Sequence, residues 1–155
     1  MKEHLSLFFL RLALLCGGAL VVEAQTDHVT PFTGTWKLNL AKSKFKPGPA
    51  FKSFTITFTA DGTRHLDLIG PDGETHKPSL PWSDGKEVAV ENMENITATS
   101  KIQGRTFHDS WKQNGKVIED VHGSVSRGGR TLRTRVDGTD NQGHPFHNEL
   151  TFDKQ

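Results

Sequence analysis

Apolar and polar residues alternate along most of the chain with a period of two. In Phe32-Thr33-Gly34-Thr35-Trp36-Lys37-Leu38-Asn39, one parity holds Phe32, Gly34, Trp36 and Leu38; the other holds Thr33, Thr35, Lys37 and Asn39. That pattern predicts a half-buried strand. Gly34 lets another backbone come close, and Trp36 supplies an apolar plug whose indole N–H needs an acceptor. From Phe51 onward, turn signals recur at the spacing of a short strand plus a turn: Asp61-Gly62, Asp72-Gly73, Asp84-Gly85, Gln103-Gly104, Asn114-Gly115, Gly128-Gly129 and Gln142-Gly143. Asp-Gly and Asn-Gly between alternating runs are strong hairpin signals. By that rule the fold is all-β, a single up-and-down antiparallel β-barrel of about ten short strands. The only helical candidate is one turn over Leu40-Ala41-Lys42-Ser43-Lys44-Phe45. Lys46-Pro47-Gly48-Pro49 ends it, since proline neither continues a helix nor donates to a ladder.

Loop lengths can be chosen that send the apolar residues of every hairpin to one face. They pair Phe58 with Leu66, Trp82 with Val88, Ser100 with Phe107, Ile96 with Trp111, Trp111 with Val117, Val125 with Leu132, Val136 with Phe146 and Leu132 with Leu150. A one-residue slip would invert a strand, so the common face constrains the registers. Polar residues of the same parity are His76, Ser100, Asp109, Glu119, Thr134 and Asn148. The residues expected to face a ligand inside the barrel are Trp36, His76, Trp82, Ser100, Phe107, Asp109, Trp111, Glu119, Thr134 and Asn148. Asp109 is expected opposite Glu119. Two inward carboxylates repel and lose hydration, which raises the pKa of at least one. Such a pair suits accepting ligand hydroxyls or amines, or acid–base chemistry. The alternative is an inert, hydrated polar patch.

The outer parity carries His65, His108, His122 and His147, with Asp120 and Arg135 nearby. His108, Asp120 and His122 fall on neighbouring strands, and imidazole is a common metal ligand. No H-x-x-x-H or C-x-x-C spacing supports a site, so a solvated histidine stripe without metal is expected. Arg127, Arg130, Arg133 and Arg135 cluster about one hairpin and read as a solvated edge. There is no P-loop, dinucleotide fingerprint or nucleophile elbow, and no cofactor is expected. The net charge of +1 over 155 residues lacks the basic footprint of a nucleic-acid binder. A hydrophobic fraction of only 34% suits one small all-β domain with a wet exterior or a partly polar interior.

The N-terminus reads as a targeting segment. Lys2 precedes an apolar run from Leu5 to Val22, and Val22-Glu23-Ala24 offers a cleavage site, so residues 1–24 are expected to be a signal peptide. Arg11, Gly17 and Gly18 interrupt the run, which is short for a full membrane span. Residues 25–31 are expected to form a flexible leader and residues 32–155 the barrel domain. The lone cysteine, Cys16, falls in the removed segment, so the secreted or periplasmic chain would have no disulfide.

Phe32-Thr33-Gly34-Thr35-Trp36-Lys37-Leu38 resembles the F-x-G-T-W-K-L opening of intracellular fatty-acid-binding proteins and the G-x-W opening of lipocalins. Gly128-Gly129-Arg130-Thr131-Leu132, Asp137-Gly138-Thr139 and Leu150-Thr151-Phe152-Asp153-Lys154 resemble the end of the former. The longer opening, with Lys42-Ser43-Lys44-Phe45 and Pro47-Gly48-Pro49, is similar to a group of secreted bacterial lipocalin-like proteins, and that likeness extends over most of residues 32–155. The resemblance implies a calycin barrel. Glu149-Leu150-Thr151 stands where fatty-acid-binding proteins carry the R-x-Y that holds the ligand carboxylate, and only the Leu40–Phe45 turn stands where they have a helical lid. A carboxylate-binding site is therefore not carried over.

The expected function is a monomeric, secreted or periplasmic barrel that binds a small apolar or amphipathic molecule, with no membrane span in the mature chain. Two alternatives stand beside it. One is an isomerase or hydrolase using Asp109 and Glu119; the other is a cell-surface interaction module without a ligand.

Overall fold

Alternation becomes strand throughout. In chain order the elements are β1 (Gly34–Leu38), a single 3-10 turn (Leu40–Lys42), β2 (Lys44–Lys46), β3 (Ser53–Phe58), β4 (Arg64–Ile69), β5 (Thr75–His76), β6 (Ser79–Leu80), β7 (Val88–Ala89), β8 (Ile96–Gln103), β9 (Thr106–Gln113), β10 (Lys116–Val125), β11 (Thr131–Thr139) and β12 (Pro145–Lys154). The computed structural model describes residues 29, 31–47, 50–140 and 142–155; the expected signal peptide lies outside them. No helix among the described residues is long and apolar enough to cross a membrane.

Every strand pairing is antiparallel, in the order β5-β4-β3-β1-β12-β11-β10-β9-β8-β7, with β2 beside β12 and β6 beside β4. β6 also closes the sheet. Leu80 pairs with Arg64 of β4 on one side. On the other, Ser79 bridges Glu91 just after β7, the two residues exchanging N–H···O bonds of 3.1 and 2.9 Å. β6 thus joins β4 to the β7 end of the sheet and completes an up-and-down barrel, with ten strands around the ring.

One end of the barrel is plugged. Phe32, Trp36, Phe58, Leu80, Leu132 and Phe152 are essentially inaccessible. The Trp36 indole Nε1 donates to the Phe32 carbonyl at 2.6 Å, which satisfies the one polar atom of the plug. The Phe32 ring lies 5.3 Å from Phe58 and 5.6 Å from Phe107. Val29, within the expected leader, is buried here, and its carbonyl accepts from the amides of Phe32 and Thr33.

The registers differ from expectation in an instructive way. Phe58 faces Arg64 rather than Leu66, Ile96 faces Gln113 rather than Trp111, and Leu132 faces Phe152 rather than Leu150. Each is a slip of two residues, which keeps every side chain on its expected face. The β10–β11 register is as expected, with Val125 opposite Leu132.

The β9–β10 hairpin is a correction. Asn114 and Gly115 both have positive φ, 50° and 79°, and form a two-residue turn of the I′ kind between Gln113 and Lys116. That turn sets an odd offset, so Val117 pairs with Lys112 and is 50% exposed instead of facing inward. A β-bulge between Val117 and Glu119 then restores the inward parity. Beyond it Asp109 faces Val121 and Glu119 faces Trp111, so the expected Asp109–Glu119 pair does not form.

Gly123 marks where this hairpin is tightest. A Cβ there would lie 2.1 Å from Cε1 of the buried Phe107 ring, whereas a Cβ on Gly128 would meet open space. Gly123→Ala is expected to lower unfolding free energy by ~1–3 kcal/mol, the usual cost of overpacking. Gly128→Ala should change it by less than about 0.5 kcal/mol. Urea denaturation of both variants checks this, and equal stabilities would refute the close approach.

Candidate functional site

Arg64 opens β4 on the inner parity, directly after the Asp61-Gly62 turn, and is only 5% exposed. Asp109 reaches it from β9, across the barrel, and is 2% exposed. The pairing is bidentate: Arg64 Nη1 donates to Asp109 Oδ2, and Nη2 donates to Oδ1 at 2.7 Å. Nη2 also donates to Ser100 Oγ at 2.7 Å, and Ser100 stands opposite Asp109 in the β8–β9 ladder. The guanidinium carbon lies 4.7 Å from the Phe107 ring centre and 5.4 Å from that of Phe58. A planar cation against two adjacent aromatic rings, with a carboxylate at its fork and a hydroxyl beside it, is well matched.

At the opposite end of the barrel the apolar residues are less deeply buried. Phe45, Phe51 and Phe54 are half-buried and form an edge-to-face chain, with centroids 5.9 and 5.4 Å apart, that continues to the buried Phe152 at 5.3 Å. Leu68, Ile118, Val136 and Phe146 are likewise only half-buried. These residues form an apolar rim, of which Phe45, Phe51, Phe54, Ile118 and Val136 pack against the core. At this end Glu119 is carried inward by the bulge, next to Ile118 in the chain and flanked in the ladders by Trp111 and by Gly138, which itself faces Phe146. It makes no hydrogen bond or ion pair among the described residues. Burial pushes its carboxyl up from 4.5 to about 7, because nothing nearby offsets the lost hydration of the charged form.

The expected ligand-facing residues divide by place. Trp111, Glu119 and Asn148 belong to the open end; Asn148 Oδ1 accepts from the Lys46 amide at 3.3 Å. Thr134 is buried one layer below, opposite Leu150. Trp36 and Phe107 are inward but locked into the plug, and Trp82 packs over Gly62 beside Val29 at that same end. Ser100 and Asp109 are inward and bound to Arg64. His76 is a correction: it pairs with Leu68 but stands exposed, because β5 is only two residues long and nothing covers it. The Asp109–Glu119 dyad expected for acid–base chemistry is also corrected, since both Asp109 oxygens are held by Arg64.

Sequence reasoning did not single out Arg64. Its parity with Leu66 and Leu68, and the unmatched inward charge of Asp109, were the available signals.

Two open depressions lie on the outside of the sheet. One of about 1230 Å³ is lined by residues including Lys42, Lys44, Lys101, Arg133 and Arg135, and one of about 440 Å³ by Thr55, His65 and neighbours. The large exposed apolar residues among those described, Leu40, Met93 and Val117, stand on three separate segments and form no contiguous patch.

Comparison with family models and with curated proteins finds no match. Among solved structures, the chain is similar to a zebrafish ileal bile-acid-binding protein crystallised with cholic acid, at 12% identity and a TM-score of 0.49, over 81% of this chain and 99% of that one.

Removing one member of the Arg64–Asp109 pair leaves an uncompensated buried charge. Arg64→Met is expected to cost ~3–5 kcal/mol in chemical denaturation, and Arg64→Met with Asp109→Leu markedly less. A double variant as unstable as the single one would contradict this reading.

Glu119 supplies a second test. Its folded pKa is raised, so its favourable protonated state is fully present below pH 4.5 and its ionisation costs stability as pH rises to about 7. Glu119→Gln should therefore match the wild type at low pH and become the more stable protein above neutrality. The expected gap is roughly 1–3 kcal/mol for a carboxyl only partly shielded from solvent. Parallel pH–stability curves for the two proteins would rule out the shift.

Proposed function

We propose that this barrel binds, at its open end, a small molecule that is mostly apolar and carries one hydrogen-bonding group. The observation that carries the proposal is the inward carboxyl of Glu119, which has no hydrogen-bond or ion-pair partner among the described residues and stands beside Trp111 and Ile118, at a half-buried apolar rim that also holds Phe45, Phe51, Phe54 and Val136. Apolar walls with a few convergent polar groups are the usual make-up of a small-molecule site. With a pKa of about 7, Glu119 is present both protonated and ionised near neutrality, so it can donate to or accept from a ligand hydroxyl or amine.

The occupant is small and sits shallowly. Below the rim, Ser100 and Asp109 are already engaged with Arg64, and the plug of Phe32 and Trp36 fills the far end. We further place this activity outside the cytoplasm. The apolar run of Leu5–Val22 with a cleavage-type Val22-Glu23-Ala24 supports export.

Native mass spectrometry of the protein purified from its expression host, and titration with a fluorescent anilinonaphthalene probe, test the binding. One-to-one saturable uptake is expected, and Phe51→Asp should abolish it while leaving the circular dichroism spectrum unchanged. No saturable uptake by the wild type, or equal uptake by Phe51→Asp, would sink the proposal.

A further inference from the structure

The outer face holds a second cluster that ligand binding at the open end does not use. His108 and His122 stand directly opposite each other on β9 and β10. Their imidazole rings stack 4.3 Å apart and within 2° of parallel. Asp120, on the same face two residues before His122, reaches both: its Oδ2 lies 2.9 Å from His108 Nε2 and its Oδ1 2.9 Å from His122 Nε2. The two ring nitrogens and the carboxylate oxygen all fall within 4.8 Å of one another.

We propose that His108, Asp120 and His122 form a binding site for a divalent transition-metal ion of the zinc or copper type. Two imidazole nitrogens and one carboxylate oxygen suit those ions rather than calcium or magnesium, which take all-oxygen shells. Zinc holds its ligands at about 2.0–2.1 Å, which places tetrahedral donor atoms about 3.3 Å apart. The two Asp120 contacts are about 0.4 Å shorter than that, so on binding the carboxylate gives way slightly and the stacked imidazoles turn until both Nε2 lone pairs point at the ion. The side chains are 51%, 37% and 54% exposed in the order His108, Asp120, His122, so they can turn to converge and the ion can enter directly from solvent. Their backbones are fixed by a long paired ladder, so little chain entropy is lost on binding. Three protein donors leave a fourth position for water, the count of an open site.

Two cations temper the affinity. Lys101 stands opposite His108 and Arg135 opposite His122, although Arg135 is itself drawn to Asp137 at 2.7 Å. Like charges near a metal oppose its binding, so the site is of moderate rather than extreme strength.

The test is calorimetric titration of the whole chain with zinc chloride at neutral pH, with visible absorption of the cobalt(II) complex as a second readout. One-to-one uptake and a four-coordinate cobalt spectrum are expected. His122→Ala and Asp120→Asn should each weaken binding by more than about 10-fold, the scale on which even outer-shell partners act. His147→Ala, a histidine outside the trio, should leave it unchanged. All variants should keep the wild-type circular dichroism spectrum, since these side chains lie outside the core. No uptake by the wild type, unchanged affinity in His122→Ala, or equal weakening in His147→Ala would overturn the site.

Discussion

A guanidinium inside a barrel this small constrains nearly everything around it. Arg64 has five N–H donors and a charge that it cannot shed, so its surroundings must supply an anion, acceptors and polarisable faces. Asp109, Ser100, Phe58 and Phe107 do so, from β9, β8, β3 and β9. A buried ion pair adds little net stability over apolar side chains of the same volume. Its effect is on choice among arrangements, because any register that separates Arg64 from Asp109 strands a charge in a low-dielectric interior. The pair joins β4, beside the closing strand β6, to β9 on the far wall, so it penalises a barrel that closes in the wrong register.

The same pair decides where chemistry is left over. It engages Ser100 and Asp109, and the Phe32–Trp36 hydrogen bond engages the indole at the plugged end. Of the two inward carboxyls, Asp109 and Glu119, Glu119 is the one that neither arrangement reaches. It lies where a two-residue turn and a compensating bulge meet, between Trp111 and Gly138 in the ladders and next to the half-buried Ile118. A β-bulge that re-aims a side chain at a barrel rim is a common device. Here it replaces the expected carboxylate dyad with a lone carboxyl in an apolar collar.

Period-two alternation and the Gly-containing turns made the barrel legible in the sequence, because burial of one face tolerates errors of two residues and forbids errors of one. The expected pairings of Phe58, Ile96 and Leu132 were each displaced by two, and their faces survived. The odd offset at Asn114-Gly115 was not legible. Turn length there is set by two consecutive positive-φ residues, and only the bulge at Ile118 hides the consequence from the rest of β10. For this reason Val117 lies outside although its parity pointed inward. Arg64 was missed for a different reason: a long charged side chain beside a turn ordinarily reaches water. His76 failed because a strand of two residues has no neighbour to cover it, and parity says nothing about coverage. The plug fared best, since Trp36 needed an acceptor and found one in the Phe32 carbonyl.

The circumference is not equally strong all the way round. Along β11 and β12 the hydrogen-bond ladder runs from Thr131–Asp153 to Thr139–Pro145. Among the described residues, the backbone bridge between β6 and the segment after β7 is Ser79–Glu91, with its two N–H···O bonds, and Asn92 Nδ2 adds one bond to the Lys77 carbonyl at 3.0 Å. A cylinder sewn by long seams over most of its wall and only by two-residue seams and one bridge around β6 and β7 has a built-in line of parting. Thermal breathing should concentrate there, and the wall should unroll along that line before any long ladder gives way.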